Sequence, residues 1–331
     1  MSDVISNLLS ELDIHPVLID VGASGTTPEI WDSIAKHSIY VGFDPDLREI
    51  QELPDGRFHK AIIVNEAITT KEDSAEVLFY LTKSPFCSSV LKPDSKSLSN
   101  FIFSDYFAIE RETPVRATTL NSIIERLSLR GVDWLKTDSQ GTDFRIFNSL
   151  SKDIRSKVLA LDIEPGFIDA YLGEDLFVDA HKSLVKQGFW LSNLKVCGEV
   201  RLKKTTLDKL PQLDSEANPE LISFYHKKSP CWCEARYLRT IDWFAQGSFD
   251  KRGYVLLWVF SLLDGQLGFA IELAFEYERR FGSDKVSQVM LDEAIWRVKR
   301  LRPKKRLMRT LAGKLLPTQI KQWLKGFIVN S

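Results

Sequence analysis

Cysteine is scarce: Cys87, Cys197, Cys231 and Cys233 are the only four among 331 residues. They are too few and too scattered for a disulfide framework, which excludes a stapled secreted scaffold and favours thiols kept reduced. Cys231 and Cys233 form the one close pair, but a single intervening residue is not the C-x-x-C of the usual metal pair, so they read as buried thiols. Histidine is nearly as sparse, at five, and His37, His59, His181 and His226 fall on different elements, so no metal centre is expected. Long apolar runs are missing too. The longest, YVLLWVFSLL from Tyr254 to Leu263, is about half the roughly 20 residues a helix needs to cross a bilayer. The first residues, MSDVISNLLSELD, have neither the positive flank nor the small-residue cleavage site of a secretory leader. A cytoplasmic protein is the expectation. No fixed-period repeat or low-complexity tract occurs.

Two phosphate-binding motifs are absent as well. Without G-x-x-x-x-G-K-[ST] there is no P-loop, and without G-x-G-x-x-G no pyrophosphate site of the dinucleotide type, which disfavours an NAD-linked oxidoreductase. What is present is ample apolar material, 44% of the chain, enough for a sizeable core and about two domains at roughly 150 residues each. The net charge of −1 conceals an asymmetry, since Arg297 to Lys325 holds eleven Lys and Arg and no acid, leaving an acidic body. The tail also carries Leu, Met, Trp and Phe. It suits either an anionic membrane surface, at the inner face of the membrane, or a helix packed on the acidic body. No recognised nucleic-acid module accompanies the charge, so no nucleic-acid partner is expected.

From Pro16 onward, short apolar runs alternate with amphipathic ones, as in successive strand and helix units. Val17 to Ala23, Ser38 to Asp44, His59 to Ile68, Val132 to Asp138 and Val158 to Glu164 read as buried strands. Continuous hydrophobic strands of this kind imply a parallel sheet covered on both faces. Pro28 opens a helical stretch, PEIWDSIAKH, after the first of them. The segments EVLFYLT, SSVLKPD and FAIERETPVRATTL read as extra strands and loops over one edge. Leu210 to Pro230 is polar and holds three prolines, which places a boundary there: residues 1–210 form the α/β domain, and 211–331 a helical domain with a basic tail. Its helices are expected over ARYLRTIDWFAQ, RGYVLLWVFSLL, LGFAIELAFEYERRFG and VSQVMLDEAIWRVKRL.

The chemistry concentrates at Asp20-Val21-Gly22-Ala23-Ser24-Gly25, where the first strand meets the next element. Glycines there let backbone approach a ligand at the carboxyl edge of the sheet, where open α/β folds bind their ligands. The second strand ends in Asp44, followed by Pro45 and Asp46, and a carboxylate at that place can accept hydrogen bonds from both ribose hydroxyls of a nucleoside. Asp20 beside the turn would repel a phosphate and attract an ammonium. S-adenosylmethionine, with an amine and a sulfonium but no phosphate, fits better than NAD. Asp138 ends the fourth buried strand and is followed by Ser139-Gln140-Gly141. It reads either as a base that orients and deprotonates an acceptor or as a cap for the next helix, while Gln140 offers a donor and an acceptor to a polar substrate.

Five blocks in one order carry a family resemblance: IDVGASG (Ile19 to Gly25) with Trp31 after it, YVGFDPD (Tyr40 to Asp46), VNEAI (Val64 to Ile68), FYLTKSPFCSSVLKP (Phe79 to Pro93) and TLNSIIERLSLRGVDWLKTDSQGTDFRIFNSL (Thr119 to Leu150). Over roughly residues 16 to 200 the chain resembles the FkbM-type S-adenosylmethionine-dependent methyltransferases. It departs from their pattern at Asn121, where Asp is usual, at Asp143, where Glu is usual, and in a shorter glycine turn. The resemblance implies a Rossmann-like class I methyltransferase sheet with helices on both faces, followed by an all-helical C-terminal domain. It implies O-methylation of a hydroxyl on a sugar, glycan or related small molecule. Asp20, Gly22, Ala23, Ser24 and Gly25 would line the methionine side of the donor, Asp44 with Pro45 the ribose, and Asn65, Glu66 and Ala67 the adenine. Ser88 and Ser89 match the family's serine pair and would close over the acceptor, although a polar loop would look the same. The competing reading is a binding or scaffold protein that kept the fold and lost the reaction.

Overall fold

The computed structural model describes residues 2–23, 26–46, 56–71, 75–213, 222, 224–247 and 249–301. Ser24, Gly25 and the basic tail beyond Leu301 lie outside the described residues.

Ten strands form: β1 (Val17–Val21), β2 (Ile39–Phe43), β3 (Lys60–Val64), β4 (Ala67–Ile68), β5 (Glu76–Thr82), β6 (Ile109–Thr118), β7 (Trp134–Thr137) and β8 (Ala160–Ile163) within the stretches expected to be extended, and β9 (Phe189–Glu199) and β10 (Ser229–Arg239) outside them, all among the described residues. Seven of them make one sheet in the order β3-β2-β1-β7-β8-β10-β9. β3, β2, β1, β7 and β8 run parallel, and β10 is antiparallel to both neighbours. Of the segments read as additions over one edge, EVLFYLT and FAIERETPVRATTL supply β5 and β6, which form a three-stranded sheet, β4-β6-β5, with the end of the stretch read as the third buried strand, whereas SSVLKPD makes only isolated bridges.

Side chains alternate across the main sheet and feed two cores. On one face Ile19, Val21, Val41, Leu135 and Leu161 pack with the helices Leu120–Arg126, Asp143–Ser149 and Phe177–Lys186. On the other face Leu18, Tyr40, Trp134 and Ala160 meet the helices Ser2–Glu11, Lys251–Leu263, Leu267–Phe281 and Lys285–Leu301. This is an α/β fold with a Rossmann-like sheet covered on both faces and followed by a helical region.

Two local expectations are corrected. Pro28 opens no α-helix, because the chain makes two short 3-10 turns, Glu29–Trp31 and Ala35–His37. The sheet face above them is filled from the far end of the sequence by Lys251–Leu263, whose buried residues run from Gly253 to Leu262. A helix apolar on every side has to be enclosed, and each large side chain it buries contributes about 1.5–3 kcal/mol. The second correction is Cys231 to Arg239, part of the stretch expected to be helical, which is strand β10. Its buried side chains alternate with less buried ones, and Cys233, Ala235 and Tyr237 enter the sheet core at period two. Arg252 fastens the late helix to the early strands through two bonds of 2.7 and 2.6 Å to Asp133, which also accepts from the Val17 amide at 2.8 Å. The helices after Arg239 therefore share a core with β1, β2 and β7. Among the described residues no helix is long and apolar enough to cross a membrane.

Candidate active site

A cavity of about 400 Å³ opens at the carboxyl ends of the parallel strands, where β1 gives way to Gly22, β2 to Asp44, β7 to Asp138 and β8 to Glu164. Parallel strands end together at one edge, so residues from Gly22 to Glu164 converge there. The turn after β1 is pinned to β2, because the amides of Gly22 and Ala23 both donate to the Phe43 carbonyl at 2.9 Å. Gly22 has φ +77°, and a Cβ there would sit 2.0 Å from the Asp138 carbonyl oxygen. Only glycine leaves backbone against backbone at that point.

The Asp138 carboxylate is held from one side. Gln140 Nε2 donates to its Oδ1 at 2.6 Å, and Gln140 Oε1 lies 2.9 Å from the Tyr171 hydroxyl. Gln140 adopts φ +56°, a backbone conformation uncommon for a residue with a side chain. Ser89 fixes that turn from beneath by donating to the Gln140 carbonyl at 2.7 Å. Asp138 caps no helix, since the next one begins at Asp143 with Thr142 as its N-cap. Asp143 instead secures the loop, accepting from the Ser139 amide (2.7 Å), the Ser139 hydroxyl (2.5 Å) and the Glu164 amide (3.0 Å).

Residues 20–198 match the profile of the methyltransferase FkbM domain. The chain belongs to the FkbM methyltransferase family. Among solved structures, one described as an antibiotic-related methyltransferase is similar at 11% identity and a TM-score of 0.27, covering 71% of this chain and 94% of that one. No curated protein matches.

Within this FkbM domain the structure brings most of the sequence-predicted residues together and sets four aside. Gly22, Asp44, Pro45, Glu66, Ala67, Ser88, Asp138 and Gln140 line the cavity. Asp20 does not: it is 2% exposed beneath the cavity, where Lys136 Nζ reaches its Oδ1 at 2.8 Å and the Tyr40 hydroxyl donates to its Oδ2 at 3.2 Å. Ala23 contributes its amide to β2. Asn65 is exposed, and Ser89 supports the Gln140 turn. Glu66 is paired with Arg126 at 3.3 Å, and Ser88 accepts from the Thr82 amide at 3.1 Å.

Sequence reasoning missed Glu164, Glu174, Tyr171 and Lys136. The first was detectable, because VLALDIE ends in an acid as WLKTD does, and Thr137 pairs with Ile163, which makes Asp138 and Glu164 neighbours. Glu174 and Tyr171 sit in a loop without periodic signal.

Burial raises several of these carboxyls. Asp44 is pushed up to about 6 by desolvation, Asp143 to about 7 by desolvation and then the Asp138 charge, and Glu174 to about 7 by desolvation. Because the folded state binds these protons more tightly than the unfolded chain, their stabilising contribution is complete below about pH 4 and is lost as pH rises through 6 to 7. Thermal melting should therefore occur at a higher temperature at pH 5.5 than at pH 8. The double variant Asp143→Asn/Glu174→Gln should narrow that gap; an unchanged gap would assign the pH dependence to other groups.

Proposed function

We propose that this chain is an S-adenosylmethionine-dependent O-methyltransferase acting on a hydroxyl of a sugar, glycan or related small molecule. The observation that carries this reading is the juxtaposition of Gly22, Asp44 and Asp138 around one cavity, with the Gly22 backbone packed directly against that of Asp138. These residues fit the donor. Gly22 presents bare backbone to the cavity beside Asp138, Asp44 is a nearly buried acceptor after β2, and Ala67 and Ile68 supply an apolar border for a base. When bound, S-adenosylmethionine supplies a sulfonium-activated methyl group. The chain's own task is then to orient the acceptor hydroxyl and take its proton as the new bond forms. Asp138, oriented by Gln140, is the group for both. Phe79, Phe103, Tyr106 and Trp232 wall the rest of the cavity, and the apolar faces of a sugar ring suit them.

Calorimetric titration with S-adenosylmethionine tests the donor half. The Asp44 carboxylate must be ionised to accept from two ribose hydroxyls, so affinity should weaken as pH falls through about 6. Asp44→Ala should lose about 10-fold or more, the worth of a charge-assisted hydrogen bond. Absence of any heat or thermal shift with the intact chain would favour a scaffold that retains the fold without the reaction.

A further inference from the structure

Among the described residues, seven carboxyl side chains and no Lys, Arg or His line the cavity. Most of the acids are already engaged. Glu66 faces Arg126, Glu199 lies 3.7 Å from Lys228 and accepts from the Val200 amide at 2.8 Å, and Glu174 accepts from the amides of Ala170 and Tyr171 at 2.7 and 3.0 Å. Asp44 accepts from the Asp46 amide at 2.7 Å, and Asp138 accepts from Gln140. Lys136, just below, is committed to Asp20. Glu164 has no hydrogen-bond or ion-pair partner for its carboxyl among the described residues.

Its position gives that carboxyl a use. The pairing of Thr137 with Ile163 puts Glu164 beside Asp138 on adjoining parallel strands, about 4.8 Å apart. Phe103 and Trp232, which line the same cavity, lie nearly parallel, with an interplanar angle of 11° and centroids 6.2 Å apart, and aromatic faces attract cations. We propose that the acceptor is an amino alcohol, with Glu164 receiving its ammonium, Asp138 the neighbouring hydroxyl, and the Phe103–Trp232 wall covering the ring that carries them.

This deepens the methyltransferase reading and rests on it. Two carboxyls on adjoining strands can reach an amine and a hydroxyl carried by one small ring. An amine held protonated on a carboxylate has no free lone pair, so the methyl group goes to oxygen. Phosphate-linked acceptors are selected against, because each would bring further negative charge into a cavity whose described residues offer no cation to meet it. The charge of Glu164 also follows the occupant. Burial, then Asp138 and Asp143, hold its carboxyl well above the usual carboxylate range against the pull of Lys136, with Glu234 adding to the rise. An arriving ammonium reverses that balance, so binding near neutral pH releases a proton.

The test uses the full chain loaded with S-adenosylhomocysteine for binding and S-adenosylmethionine for turnover. The probes are the methyl glycosides of glucosamine and 3-amino-3-deoxyglucose, their N-acetyl forms, and glucose 6-phosphate. Amines should bind at least about tenfold more tightly than their acetylated forms at pH 7. Calorimetry in buffers of different ionisation enthalpy should show proton release with the amines alone. Glu164→Gln should bring the amine-to-acetyl ratio close to one and abolish the release, whereas Glu164→Asp should retain part of both. Melting curves confirm that the variants fold. Binding of glucose 6-phosphate or an acetylated form as tight as that of the amines, failure of every amine to bind, or an unchanged ratio in Glu164→Gln would overturn the proposal. Donor binding without amine preference would sink this inference alone, while no donor binding would sink the methyltransferase reading beneath it.

Discussion

Asp138→Ala is expected to lower kcat by about 10²–10⁴-fold, the usual worth of a positioned general base, while affinity for S-adenosylmethionine changes far less. Asp138 follows β7 directly at the sheet edge, its amide donating to the Val21 carbonyl at 2.8 Å. Gln140 fixes one carboxylate oxygen and leaves the other to the cavity. A hydroxyl of ordinary acidity gives up its proton only as its oxygen bonds to carbon, so the base has to be in place during the step. Asp138→Asn keeps the shape and cannot take the proton, and it should fall with Asp138→Ala. Gln140→Ala should lose less, because it removes the orienting amide while keeping the base. None of these changes should lower the melting temperature greatly, since Ser89 still holds the Gln140 carbonyl and Asp143 the Ser139 amide. Radiolabelled methyl transfer into the acceptor panel reads the rate. Full activity in Asp138→Ala would move the base elsewhere and leave the family membership untouched.

Asp20→Ala should destabilise the fold by about 3–5 kcal/mol, the range for removing one partner of a buried ion pair. The motif around Asp20 suggested a carboxylate in contact with the donor, whereas the structure buries it on Lys136 and Tyr40. Lys136 is held charged: burial opposes its charge, but the pull of Asp20 and then Asp138 outweighs it. Removing Asp20 leaves that ammonium beside β1 without its nearest counter-charge. The paired replacement Asp20→Leu/Lys136→Met should be much milder, because a well-packed apolar pair of similar volume avoids stranding a charge. Urea unfolding of the single and double variants measures both. Should Asp20→Ala melt like the parent and yet lose donor binding, Asp20 would be a ligand contact after all.

Much of the site was legible in the chain because its information is local. Gly22, Asp44 and Asp138 follow aliphatic runs that can only be buried strands, and the end of a parallel strand is a fixed address at the sheet edge. The capping alternative for Asp138 was not resolvable from sequence, since Asp143, five residues on, has the same chemistry and takes the structural role. Asn121, a departure from the family pattern, proved structural: its side chain bridges the Ser149 carbonyl and the Ser151 amide at 3.0 and 2.9 Å.

By itself, then, the sequence determined the parallel strands, the glycine turn and the family, all written in runs of a few residues whose period or spacing is intrinsic. Tertiary structure alone decided what lies across the sheet. The 251–263 helix roofs a face that the 3-10 turns after β1 leave open, β10 inserts between β8 and β9, Lys136 claims Asp20, and Glu164 comes to rest beside Asp138. These pairings join residues 26 to more than 200 positions apart. Which apolar stripe or charge closes against which is settled by burial and counter-charge in three dimensions, on which local periodicity is silent.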